Sequence, residues 1–217
     1  NKRFLISGAS SGIGLRTAEK LSSMGAKLIL ISRNEEKLSQ VSESFGSFGH
    51  EILPFDLTAP RKIPEALKHF LKGGQLLDGI FHCAGIESVR PSSILKQKHI
   101  DEMLSSSINA ALFFAKAISS KKIRNAEADF SLVIMSSAAS LKGQAGMGLY
   151  SAAKGAIDAA VRSLAVEFSA QNIRVNSIVA GAVKTEMHDR LTKSMPDQAK
   201  VDYESRHLLG FGEAEDV

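Results

Sequence analysis

The chain has a single cysteine, Cys83, among 217 residues. One thiol excludes an intrachain disulfide and agrees with a reducing compartment. The six histidines are scattered, and His82-Cys83 is a lone adjacent pair, so no zinc-type spacing is present and no metal is expected. There is no tryptophan, and the 11 Phe and 2 Tyr are not interleaved with a basic cluster. A stacking platform for nucleic acid is therefore not expected, although the formal net charge is +4. The basic residues are spread over 61–72, 96–98 and 121–124, as on solvated helix faces. Apolar runs are short and interrupted, so no membrane span is expected, and the start has no signal-peptide pattern. A cytoplasmic location is the default expectation.

What is present is an ordinary globular composition, 44% apolar and 23% charged, enough for one domain with a sizeable core. Phe4-Leu5-Ile6 opens a strand and runs directly into SGASSGIG, residues 7–14, and then into a helical stretch, 15–24. Glycines at 8, 12 and 14 suit a sharp turn, close approach of a pyrophosphate to the backbone, and tight packing of helix on strand. An ordinary Gly/Ser turn is the alternative. No Gly-Lys-Ser/Thr follows, so the loop is not of the Walker type.

Further along, Lys27–Ile31 reads as a strand buried on both faces. It ends at Ser32-Arg33, where a dinucleotide fold contacts the adenosine ribose; a basic residue there suits a 2′-phosphate and favours NADP(H) over NAD(H). A solvated Arg33 beside Glu35 and Glu36 is the bland reading. A helix over 34–46, a strand over 50–55, a helix over 60–72 and a strand over 79–82 follow. Asp56, next to Leu57, could accept from an adenine amino group or cap the next helix. These alternations predict an α/β class and a doubly wound parallel sheet of six to seven strands.

In the second half, 100–124 reads as one long helix with Asn109 inside it. A strand over 131–136 precedes Ser137, a helix over 149–168 carries Tyr150 and Lys154, and 173–178 makes a sixth strand. Tyr150 and Lys154 are four positions apart, so on a helix they share a face. An ammonium beside a phenol favours the phenolate and would lower its pKa from about 10. A packed phenol and a solvated ammonium are the alternative.

SGASSGIG, Asp56, CAG at 83–85, Asn109, Ser137, YSAAK at 150–154 and NSIVAGAVKT at 176–185 together resemble the short-chain dehydrogenase/reductase family over essentially the whole chain. The resemblance implies a Rossmann fold that binds a nicotinamide dinucleotide. It implies Tyr150 as general acid, Lys154 on the nicotinamide ribose and lowering the Tyr150 pKa, Ser137 orienting the carbonyl, and Asn109 holding a water in a proton relay. Cofactor contacts are expected from Gly8, Ser10, Ser11, Gly12, Ile13, Gly14, Ser32, Arg33, Asp56, Leu57, Cys83, Ala84, Gly85, Gly181, Val183 and Thr185, besides Tyr150 and Lys154. His82-Cys83 and Ala180 depart from the family's usual Asn-Asn and Pro.

The implied activity is hydride transfer between nicotinamide and a small-molecule carbonyl or alcohol, with a 3-oxoacyl thioester the first guess and a ketone, sugar or steroid close behind. A nucleotide-binding regulator without turnover is the alternative. Ala-rich helices at 110–118 and 152–160 lead, through the resemblance, to an expected homodimer or homotetramer. Substrate choice is expected in 138–149 and in a lid over 186–210 containing Met187, His188, Met195 and Tyr203. Residues 1–217 are expected to form one domain that lacks the family's C-terminal helix and last strand.

Overall fold

A computed structural model describes residues 2–46, 49–193 and 195–217. Six parallel strands form one sheet: β1 (Arg3–Ser7), β2 (Lys27–Ser32), β3 (Glu51–Pro54), β4 (Gly79–His82), β5 (Phe130–Met135) and β6 (Ile173–Ile178). Their order is β3-β2-β1-β4-β5-β6, so the direction of winding reverses between β1 and β4. Crevices for ligands open at such a reversal, beyond the carboxyl ends of the strands. Eight α-helices are described: α1 (Gly12–Ser23), α2 (Glu35–Ser44), α3 (Ile63–Phe70), α4 (Gln97–Leu104), α5 (Ala110–Ile118), α6 (Gly148–Phe168), α7 (Glu186–Thr192) and α8 (Asp197–Ser205).

Side chains alternate across the sheet because successive Cβ atoms point to opposite faces. Leu5, Ile29, Ile80, Leu132 and Val175 pack on one face against Phe114, Ile118, Ile157, Val161 and Phe168 of α5 and α6. Ile6, Leu28, Leu30 and Phe81 pack on the other against Ala18 of α1 and Leu38 of α2. On this second face an apolar cleft of about 210 Å³ lies between α1 and the strands, lined by Leu21, Phe81, Val133, Ile178 and Val217 among others.

Local chemistry sets the boundaries. Asn34 caps α2 by accepting from Lys37 N at 2.9 Å. Asn172 takes the left-handed conformation, φ 55°, that turns the end of α6 into β6. Pro54 lacks an N–H and sits on the edge strand β3, where its loss is tolerated.

The long helix expected over 100–124 runs instead from Gln97 to Ile118 and is not regular. Between α4 and α5 the residues Ser105–Asn109 form a π-helical turn, and the helix ends at Ile118. Ser106 Oγ donates to Glu102 O at 2.8 Å and Ser107 Oγ to Met103 O at 2.5 Å. Hydroxyls that occupy these carbonyls compete with the i−4 ladder, and the backbone widens by one residue. The lid, expected as a polar stretch, contains α7 and α8.

Candidate functional site

The cradle comes first in the chain. α1 starts at Gly12 with no acidic residue in its first turn, and Ser11 at its cap makes no side-chain capping bond. The free N–H groups of this 12-residue helix therefore face outward with the positive end of its dipole. Gly8 has φ +73°, and a Cβ there would stand 2.9 Å from the Ala84 backbone; a Cβ on Gly14 would overlap the Gly8 carbonyl oxygen. The backbone approaches that a pyrophosphate needs are thus present, and the residues fit a dinucleotide. Ser10 and Ile13 sit half-buried in the same turn. Thr185 closes it from the opposite side, its methyl 3.0 Å from where a Gly12 Cβ would be, and its hydroxyl caps α7 by accepting from His188 N at 3.3 Å.

At the ends of β2 and β3, Arg33 is exposed and its charge acts on Asp56. Asp56 caps the turn after β3: its Oδ1 accepts from Thr58 N at 2.9 Å, and this bond is the main cause of a lowered pKa. Leu57 points into the core. Ser32 Oγ donates to Asn34 O at 3.3 Å.

The chemical groups meet beyond β4 and β5. Ser137 follows β5; its hydroxyl accepts from Ala139 N at 3.2 Å and acts on the Tyr150 phenol, drawing its pKa down. Tyr150 packs with Met103, Met147 and Ala153. Lys154, one turn on in α6, is 4% exposed and donates through Nζ to Met135 O at 2.8 Å. Its amine lies 5.6 Å from the centre of the Tyr150 ring. Gly85 lies against this amine, with a would-be Cβ 3.6 Å from Nζ.

The electrostatic expectation for the phenol needs correcting. Burial, then the Glu87 charge, push Tyr150 up to about 12, with the Ser137 hydrogen bond opposing them. Burial pulls Lys154 down to about 8. The ammonium does not lower the phenol because it is turned onto the Met135 carbonyl, and both groups are desolvated.

A buried chain of hydrogen bonds ties the cradle to the π turn. His82 Nε2 faces the Ser107 carbonyl at 3.2 Å and so donates, which leaves Nδ1 to accept from Ser7 Oγ at 2.7 Å. Ser7 Oγ in turn accepts from Ala84 N at 3.3 Å. Burial holds His82 down at about 4, so the ring is neutral. Where His82 departs from the family's usual Asn, its ring braces the central strand. Burial raises the Cys83 thiol to about 12.

Asn109 lies on the exposed side of the π turn, whereas Ser106, Ser107 and Ile108 are buried. The structure therefore brings Ser137, Tyr150 and Lys154 together and leaves Asn109 on the outer face. The one-residue widening is the cause, since it rotates every later side chain of a helix read as regular. Gly181 is exposed, and Val183 is half-buried and pairs with Gly212.

Two further groups reach the site. Glu87 is half-buried just after the Cys83-Ala84-Gly85 turn, and its charge acts on Tyr150, Tyr203 and Lys154. Its position beyond a strand's carboxyl end was the available signal. Tyr203 comes from the lid, where its ring packs among His188, His207 and Phe211 at centroid distances of 5.9, 5.0 and 5.3 Å. Among the described residues no group of three or more His, Cys, Asp or Glu is placed to hold a metal, and no helix is long and apolar enough to cross a membrane.

Known proteins match this arrangement. L-xylulose reductase of Caenorhabditis elegans is 29% identical over 221 residues, covering 100% of this chain and 85% of that protein. Gluconate 5-dehydrogenase of Gluconobacter oxydans is 28% identical over 191 residues, 87% of this chain and 74% of that protein. A short chain dehydrogenase from Burkholderia cenocepacia, solved in complex with NADP, superposes with a TM-score of 0.86 at 25% identity, covering 99% of this chain and 86% of that one. A family model described as short chain dehydrogenase matches residues 2–196, and the chain belongs to that family of Rossmann-fold oxidoreductases.

Proposed function

We propose that the protein is an NADP(H)-dependent reductase of carbonyl groups, or equally a dehydrogenase of the corresponding alcohols. The observation that carries this reading is the buried Tyr150 with the Lys154 amine 5.6 Å from its ring, one helical turn on and against Gly85, and the Ser137 hydroxyl acting on the phenol. The cradle, the α1 N-terminus and Thr185 would hold the diphosphate, and Ala84, Gly85 and Val183 would line the nicotinamide side. Arg33, exposed where the ribose phosphate would sit and with no acid at the end of β2, supports NADP over NAD. When bound, the nucleotide supplies or takes the hydride.

In reduction, Ser137 holds the substrate oxygen beside the Tyr150 hydroxyl. Tyr150 gives its proton to that oxygen as the carbon receives hydride. A phenol near 12 keeps its proton across the neutral range, so the proton is in place to be given. In oxidation Tyr150 takes the proton of the alcohol, and an ammonium turned toward the phenol would favour the phenolate this needs. With Asn109 outside, the turn that faces inward is that of Ser107, whose carbonyl is held by His82.

The relatives named above act on a sugar and a sugar acid, and no relative named here carries a thioester in its name. Sugars and related hydroxycarbonyls therefore displace the acyl thioester as the first substrates to try. On the outer face of α5, Asn109, Leu112 and Lys116 are exposed, while Ala110, Ala111, Ala115 and Ala117 are used inside the subunit. That outer face supports the homodimer or homotetramer, and sedimentation would test it. Loss of reduced-nicotinamide absorbance with a carbonyl panel tests the activity; a protein that binds NADPH but turns over no carbonyl would be a regulator instead.

A further inference from the structure

Glu87 stands in the reaction crevice without a hydrogen-bond partner. The chain places it there through its neighbours. Gly85 lies against the Lys154 amine, and Ile86 packs on the cluster of Tyr150, Met103, Met147 and Ala153. Two residues past the turn, Glu87 is half-buried, and its charge acts on the proton-donor phenol and on Tyr203 of the lid. No hydrogen bond from a described residue reaches either carboxylate oxygen. A partly desolvated carboxylate without donors carries a standing cost that a ligand supplying hydroxyl protons removes.

We infer that Glu87 selects the substrate, and that the substrate is a neutral polyhydroxylated carbonyl compound, one of whose hydroxyls near the reacting carbon donates to the Glu87 carboxylate. This rests on the hydride-transfer reading of the site. Three comparisons narrow the class. An anionic substrate brings a second negative charge toward Glu87. A cationic one meets Lys154, which lies in the same crevice and already answers the carboxylate's charge. A plain ketone satisfies Tyr150 and Ser137 but leaves Glu87 desolvated and unpaired. Sites built to hydrogen-bond a hydroxyl discriminate strongly against analogues that lack it. Tyr203 is held by the rings of His188, His207 and Phe211, so its phenol is a second fixed polar group for the same substrate.

The test uses three five-carbon probes with NADPH: a ketopentose, methyl propyl ketone and levulinate. The wild type is expected to favour the ketopentose in kcat/KM and to use levulinate worst. Glu87→Ala is expected to lower kcat/KM for the ketopentose by about tenfold or more, and for methyl propyl ketone by less than about threefold. Glu87→Gln keeps the shape, removes the charge and is expected to improve levulinate; it decides the matter should the alanine variant fail to fold. Unchanged NADPH binding and melting temperature accompany the expected result. Equal loss on both neutral ketones, or a wild type that prefers levulinate or the plain ketone, overturns the role of Glu87 and leaves the reductase reading standing. No turnover of any probe with NADPH or NADH overturns both.

Discussion

The Ser137 hydroxyl acts on the Tyr150 phenol although one residue follows a strand and the other opens a helix. The pairing aims the phenol at the position where a substrate oxygen would replace or share the Ser137 hydroxyl. Ser137→Ala removes that contact and leaves the cradle untouched. A fall in kcat/KM of about tenfold to a hundredfold is expected, with NADPH affinity within about threefold of wild type. Parallel kinetics and a fluorescence titration check it.

The glycine cradle makes a sharper prediction because it is steric. A Cβ on Gly14 overlaps a backbone oxygen, whereas Gly25 has open space around its own. Gly14→Ala is expected to abolish detectable NADPH binding or to lower the melting temperature by several degrees. Gly25→Ala, strained only by its φ of +82°, is expected to cost about 1 kcal/mol and to leave the NADPH dissociation constant unchanged.

Arg33 separates the two nucleotides. It is exposed and near Asp56, so Arg33→Ala removes a charge without disturbing the core. NADPH is expected to bind about tenfold or more weakly and NADH to change less than about twofold. Isothermal titration with both nucleotides measures the difference.

His82 gives the fold a pH dependence of definite sign. Its folded-state pKa is about 4 against an ordinary 6.5, so the fold prefers the neutral ring. That preference contributes stability fully above pH 6.5 and loses it as pH falls through 4. At about 1.4 kcal/mol per unit, up to about 3 kcal/mol is at stake. Denaturant unfolding of the wild type is expected to weaken between pH 6.5 and 4 more than that of His82→Asn, whose side chain does not titrate. At pH 7.5 the variant loses the bond to Ser7 or to Ser107, so kcat/KM falls, while the His82 share of the slope disappears.

Much of this was legible beforehand. The apolar strand 27–31 and the glycine turn before α1 lie where composition puts them, because backbone sterics and burial on both sheet faces leave few alternatives. Among the described residues the sheet has six strands, within the expected six to seven. The Tyr150 and Lys154 spacing places both on one helix, yet the pKa of the phenol does not follow from spacing. It depends on burial and on Glu87, which comes from a distant strand end. Asn109 shows a second limit. A mid-helix residue faces where the helical period sends it only if the period holds, and three serines in a row break it. The His82 bridge to Ser7 and Ser107 joins residues 75 and 25 positions apart, which periodicity does not report.

The most direct measurement is the rate of NADPH oxidation by Tyr150→Phe with the best carbonyl substrate of the wild type, alongside NADPH binding to both proteins. If Tyr150 delivers the proton, kcat falls by at least about a hundredfold while the nucleotide binds as before. A variant that keeps more than about a tenth of the wild-type kcat would show that the proton comes from elsewhere and contradict the mechanism.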